Sequence, residues 1–209
     1  TQFSASNNKW YDYSGARLGG SCHKRSGYLQ GLFYRHSGVG GNFRPSIVNG
    51  FALNSAGGGI YNMADNLTVT DCIFDSNSAT MDGGGMYNED CDPTITNCNF
   101  SVNSADNDGG GMYNYRSSPD ITNCIFTGNI GDNAGGGIYN ISSSPAITNC
   151  IFTSNEVTNH GGGMYNSGSD PVLNSCDFTS NSATNGGGMA NYNESDPILT
   201  ECDFINNVA

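Results

Sequence analysis

Apolar positions in this chain return at the same place every 26 residues. The block PTITNCNF, Pro93 to Phe100, shows the unit: Ile95, Cys98 and Phe100 are apolar and the residues between them polar. Read down the chain, these positions become files. One is Val69, Ile95, Ile121, Ile147, Leu173 and Leu199. The second is Cys72, Cys98, Cys124, Cys150, Cys176 and Cys202, and the third is Phe74, Phe100, Phe126, Phe152, Phe178 and Phe204. Three residues after each Phe stands Asn77, Asn103, Asn129, Asn155, Asn181 or Asn207, and two later a small-residue file runs from Ala79 to Ala209. A fixed step of this length marks a solenoid, in which each repeat is one coil and stacking buries a shared core.

A second block punctuates every repeat. GGGMYN at Gly83 to Asn88 recurs as Gly57 to Asn62, Gly109 to Asn114, Gly135 to Asn140, Gly161 to Asn166 and Gly186 to Asn191. The pattern predicts three short strands per coil: one in GGG[IM]YN, one in TITNCNF and one around NSA. Ser, Asp, Asn and Pro-rich pieces form the turns. Alternation breaks once, near Thr96 and Asn97, where a left-handed bend that Asn or Asp tolerates would restore the inward direction. The file at that bend is mixed, with Asp71, Asn97, Asn123, Asn149, Ser175 and Glu201. Triple glycine lets the backbone pass close to its neighbours.

These motifs resemble the GGA[ILV]-type repeats of polymorphic outer-membrane autotransporter passengers and bacterial surface proteins of pectate-lyase-like fold. The resemblance covers residues 57–209, with Gly where those repeats often have Ala. It implies an all-β, right-handed parallel β-helix solenoid of about six coils, a handedness that strand-crossover preference also favours. It further implies an extracellular or cell-surface, bacterial setting, and no single activity.

Stacking places like on like. The Phe files offer offset aromatic stacks. Asn62, Asn88, Asn114, Asn140, Asn166 and Asn191 suit an amide ladder. In-register thiols on parallel neighbours stand about 4.8 Å apart and point the same way, so the Cys file reads as buried free thiols rather than bridges or a metal site. Cys22 and Cys91 lie outside that file and either bridge the head of the chain to a turn or stay unpaired. Tyr61, Tyr87, Tyr113, Tyr139 and Tyr165 form another file, interrupted by Ala190. Either these rings face out, as a stripe able to bind sugar chains or another filament, or they fill the core and the preceding Ile or Met faces out.

Composition agrees with a narrow core, since only 36% of the 209 residues are hydrophobic. No apolar run is long enough for a membrane-spanning helix. Charge divides the chain into residues 1–50, a basic, aromatic arm or cap with a lead-in strand, and residues 51–209, the solenoid. The first part sets Lys9, Arg17, Lys24, Arg25, Arg35 and Arg44 against Asp12, and the second sets Arg116 against 18 acids. The acidic body repels nucleic acid, and the basic arm favours an acidic partner, of which another copy's body is the nearest example.

Catalytic chemistry is thinly provided. The body holds no Lys and only Arg116 and His160 as other basic side chains, which argues against a lyase. Asp82 with Asp108, Asp170 with Asp196 and Asp177 with Asp203 stack in adjacent coils at a separation that fits a retaining glycosidase, but any outward acidic file gives that spacing. A Thr file for binding ice begins at Thr68 and Thr94 and stops at Asp120. The final repeat reaches Ala209 without a capping coil, so either a longer solenoid or a second copy completes the stack. The sequence reading is therefore a non-catalytic extracellular structural protein that needs no cofactor. Its partner is itself, in a head-to-tail homopolymer using the basic arm and the coil that ends at Ala209. A glycan- or surface-binding adhesin is the alternative, and a polysaccharide-degrading enzyme comes third.

Overall fold

The computed structural model describes residues 46–63 and 66–209 with their side chains, and the backbone of Ala5–Ser6, Lys9–Trp10, Leu32–Arg35 and Pro45. Among these residues every regular element is a strand. A typical coil has four short strands, not three, because TITNCNF divides in two. In one coil these are Met86–Glu89, Thr94–Thr96, Asn99–Ser101 and Ser104–Ala105. Each strand pairs in parallel and in register with its counterpart one coil away, as in Tyr87 opposite Tyr113 and Phe100 opposite Phe126. Four stacked sheets result, and we name them by these strands as the tyrosine, threonine, phenylalanine and serine faces.

Four left-handed residues turn each coil. Gly83, Asp90, Asn97 and Val102 have φ of 67°, 51°, 54° and 53°. The expected bend at Asn97 is present in every coil, with Asp71, Asn97, Asn123, Asn149, Ser175 and Glu201 at φ of 51–55°. The glycines precede the strand that the sequence reading placed them in, yet they carry the ladder onward. Gly84 N–H donates to Gly109 C=O at 3.1 Å and Gly85 N–H to Gly110 C=O at 3.1 Å. A Cβ on Gly85 would lie 2.5 Å from Gly111 O and 3.0 Å from the Phe100 ring, so only glycine lets successive coils approach there.

The core is a set of files. Met86, Ile95, Cys98 and Phe100 and their counterparts point inward, and they are buried in every coil before the last. Phe74 to Phe204 stack with centroids 4.3–5.0 Å apart and planes within 6°. Beside them the Asn77 to Asn207 file forms an amide ladder that the sequence reading did not assign. Asn103 Nδ2 donates to Asn129 Oδ1 at 2.9 Å and to Phe74 C=O at 3.0 Å, while Asn103 N–H donates to the same Oδ1 at 3.1 Å. Each buried amide thereby ties three coils together and leaves no polar atom orphaned.

The solenoid starts at Pro45–Val48, which pairs in parallel with Ile73–Asp75 and buries Ile47. On its other edge lies Leu32–Arg35, running antiparallel. The phenylalanine face is thus closed at its first edge by a reversed strand.

Candidate functional site

The strand Met86–Glu89 alternates inward Met86 and Asn88 with outward Tyr87 and Glu89, and the parity of its first three positions repeats in the strands from Ile60 to Asn166. It decides the open question about the tyrosines: Met86, Met112 and Met164 are fully buried, and the phenol rings lie outside, half-buried. Tyr61, Tyr87, Tyr113, Tyr139 and Tyr165 stack at 4.9, 5.1, 4.8 and 4.9 Å between centroids. Such stacking covers the ring faces and leaves the edges and hydroxyls toward solvent.

Both ends of the file are hydrogen-bonded. Tyr61 OH donates to Glu89 Oε2 at 2.9 Å, and burial together with that carboxylate pushes the Tyr61 phenol up to about 12. At the other end Ala190 takes the register position opposite Tyr165. The ring missing there is supplied two residues later by Tyr192, which leans over to 5.4 Å from Tyr165. Tyr192 OH lies 3.0 Å from His160 Nδ1, and Asn185 Nδ2 lies 3.3 Å from the same atom. The Asn185 amide nitrogen can only donate, so that contact is met with Nδ1 as the acceptor and the ring proton on Nε2. The sequence reading missed this cluster, although the exchange of Ala190 and Tyr192 in MANY is its trace.

Asp82 and Asp108 flank the same file. Asp82 Oδ1 accepts from Asp108 N–H at 3.3 Å, and Asp108 Oδ1 accepts from Ala134 N–H at 2.9 Å and Asn133 Nδ2 at 3.0 Å. Partial burial raises both carboxyls, Asp108 to about 6. Burial, and after it the negative charge nearby, also raises the phenols of Tyr87, Tyr113 and Tyr139. Asp170 is used in the same way as Asp82, its Oδ1 accepting from Asp196 N–H at 2.7 Å. Asp177 and Asp203 are register partners on the phenylalanine face, with their carboxylates outward and exposed. Arg116 sits at a corner, its guanidinium 4.7 Å from the Tyr115 ring.

The remaining candidate residues are distributed as follows. Asn62, Asn88, Asn114, Asn140 and Asn166 each pass an amide hydrogen bond to the next coil, at 2.8–3.1 Å, and Asn191 accepts the last of them. Cys98, Cys124, Cys150, Cys176 and Cys202 are unbridged thiols. Cys98 N–H donates to Cys124 Sγ at 3.4 Å, and the Cys98 thiol donates to Thr96 C=O at 3.2 Å. Hydrogen bonding to Cys150, together with burial, pushes the Cys124 thiol up to about 12, so it stays protonated and unreactive. Cys72 is buried in the same file. Cys91 is buried at a corner, its sulfur 3.1 Å from Asn62 Nδ2, and Cys22 lies outside the described residues. Of the basic arm, Lys9 falls in a two-residue strand paired with Ala5–Ser6 and Arg35 in the reversed strand. Arg17, Lys24, Arg25 and Arg44 lie outside the described residues.

Comparison with known protein families gives one match, to the right-handed β-helix region, over residues 4–156 and again over 88–209. The chain belongs to the right-handed β-helix family. No curated protein and no solved structure matches it. Membership accounts for the coil direction and the parallel ladders. In this β-helix the chemistry-bearing side chains have to be read from their own geometry, since the fold hosts many activities.

Proposed function

We propose that this β-helix is a non-catalytic structural protein, a subunit of an extracellular or cell-surface fibre. One observation carries the reading: the repeated polar side chains are spent on holding one coil to the next. The buried Asn files, Asp82, Asp108 and Asp170 all accept or pass hydrogen bonds along the axis.

Such a stack extends by the rules that built it. In the coil that ends at Ala209, Leu199 and Phe204 keep the inward parity of their files and are each 45% exposed. Whatever continues the stack, the chain's own next coil or a second copy, covers these two side chains and pairs with Ile198–Thr200 and Asp203–Ile205. A copy arriving at the opposite end meets the reversed strand Leu32–Arg35 on the phenylalanine face. That junction therefore draws on the basic arm as well as on plain coil stacking.

The test is sedimentation of the full chain in low and high salt, beside Phe204→Glu. The reading predicts large species that salt disperses and that Phe204→Glu abolishes. A monomer at every salt concentration contradicts it. The glycan-binding alternative draws on one feature, the regular row of tyrosine edges. It predicts retention on immobilised polysaccharide that is lost in Tyr113→Phe with Tyr139→Phe.

A further inference from the structure

The tyrosine file has a property that its structural role does not require. Six phenol rings follow one another from Tyr61 to Tyr192 with centroid steps of 4.8–5.4 Å. At each end, and by unrelated residues, the terminal phenol meets a proton acceptor: Glu89 at Tyr61 and His160 at Tyr192. A phenol that loses an electron becomes strongly acidic, and a base already hydrogen-bonded to its oxygen takes the proton without separating charge. The carboxylates of Asp82 and Asp108 lie beside the middle of the file, where negative charge favours an electron-deficient ring. The phenylalanine file is stacked just as closely but has no phenol and no acceptor, and from Phe74 to Phe178 its rings are fully buried.

We propose that the tyrosine file is a path for moving an oxidising equivalent along the axis of the solenoid, between Tyr192 and Tyr61. The oxidant is an outer-sphere one-electron acceptor of the high-valent metal-complex class. It takes one electron from Tyr192 and is reduced by one unit, while the phenolic proton passes to His160 Nδ1 and a neutral phenoxyl radical remains. That radical takes an electron from Tyr165, and its oxygen recovers the proton from His160. Each interior phenol that loses an electron gives its proton to water at its exposed edge and regains one when it is reduced. At Tyr61 the electron leaves and the proton moves to Glu89 Oε2. The sum is one electron given to the oxidant and one tyrosyl radical at Tyr61, with its proton held on Glu89. Transfer weakens steeply with distance, so close steps and solvent-facing oxygens are what such a path needs.

The experiment attaches a ruthenium polypyridyl photo-oxidant to Glu194→Cys, in the full chain with Cys22→Ser and Cys202→Ser. Flash oxidation runs with a sacrificial acceptor and a nitroso spin trap, and mass spectrometry locates the adducts. Nitrogen-15 chains that carry no ruthenium label are mixed in, so that radicals travelling through solution are counted separately. The proposal predicts adducts at Tyr61 on the labelled chains that fall several-fold in Tyr113→Phe, which keeps the stacked ring and removes the phenol. Adducts at Tyr165 and Tyr192 persist in that variant. Tyr139→Phe repeats the test at a neighbouring coil, should Tyr113→Phe disturb the circular dichroism spectrum. Trapping that stops at Tyr165 in the parent chain overturns the proposal. So does Tyr61 trapping unaffected by loss of the Tyr113 phenol, or equal on both isotopes.

Discussion

Two aromatic files run the length of this solenoid with nearly the same period and nearly the same stacking, one sealed inside the phenylalanine face and one on the outside of the tyrosine face. Phe100, Phe126 and Phe152 are fully buried at 4.8 and 5.0 Å, while Tyr87, Tyr113 and Tyr139 are half-buried at 5.1 and 4.8 Å. The geometry comes from the ladder in both cases, because in-register parallel strands place like residues about 4.8 Å apart. What differs is surroundings. A ring sealed between two coils only supports them, whereas a ring with its edge in water, beside carboxylates and a histidine, is free to take part in chemistry or contact.

The sharpest way to break the comparison is to remove one ring from each file. Phe126→Ala opens a cavity that rigid coils above and below hold open, and should cost about 3–5 kcal/mol in urea unfolding. Tyr113→Phe keeps the stack and loses a solvent-facing hydroxyl, so its effect should fall within about 0.5 kcal/mol. Comparable losses at both sites would show that the outer file carries as much of the fold as the inner one.

The buried amides test the same contrast in polar groups. Asn129→Leu fits an apolar side chain among neighbours that need its amide, leaving Phe100 C=O and Asn103 N–H without that partner and Asn103 Nδ2 with Phe74 C=O alone. The expected loss is about 2–3 kcal/mol. A neutral result would mean that water enters the ladder.

On the outer face the sign reverses. Asp108 titrates near 6 in the folded chain, against 3.8 for an unperturbed carboxyl, because burial penalises its charge. Below the unfolded value both states are protonated and the burial cost is absent. Between the two values the folded chain holds a proton that the unfolded chain has released, so stability falls as pH rises, and above about 6 the whole cost is present. Asp108→Asn keeps an acceptor for Ala134 N–H and removes the charge. It should stabilise on the order of 1 kcal/mol at pH 7, discounted for the partial exposure of the site, and leave stability at pH 3.5 unchanged. Equal effects at both pH values would detach the gain from ionisation.

A stabilising effect of similar size lies at a corner. Val102 holds φ of 53° with a β-branched side chain that is 58% exposed, where Gly128 stands one coil on. Val102→Asn should gain about 1 kcal/mol, because Asn tolerates the left-handed backbone that Val resists. A loss on thermal unfolding would mean that the valine side chain contributes packing not evident from its exposure.

These corners also show what the sequence made legible. The bend at the Asn97 file could be read because alternation breaks there and four of its six occupants are Asn or Asp. The bends at the Asp90 and Val102 files could not. Their occupants include Arg116, Ser142, Ser76 and Ser154, and the conformation is imposed by ladder bonds such as Val102 N–H to Thr127 C=O at 3.0 Å. TITNCNF divides at the Asn97 bend itself, into Thr94–Thr96 and Asn99–Ser101, where the sequence reading placed a bend within a single strand. Which face the tyrosines take was undecidable from alternation alone, since Met and Tyr are both plausible core residues, and burial of Met86 and Met112 settled it. The Tyr192, His160 and Asn185 cluster comes from three residues in two coils, none of them in the repeated tyrosine file.

The claim that this β-helix works as a fibre subunit is tested most directly by electron microscopy of the purified full chain in low and high salt. The account predicts long rods in low salt, with an axial repeat near one subunit's stack, that shorten or disperse as salt rises. Uniform single particles of one subunit's length at both salt concentrations would contradict it and turn attention to binding on the side faces.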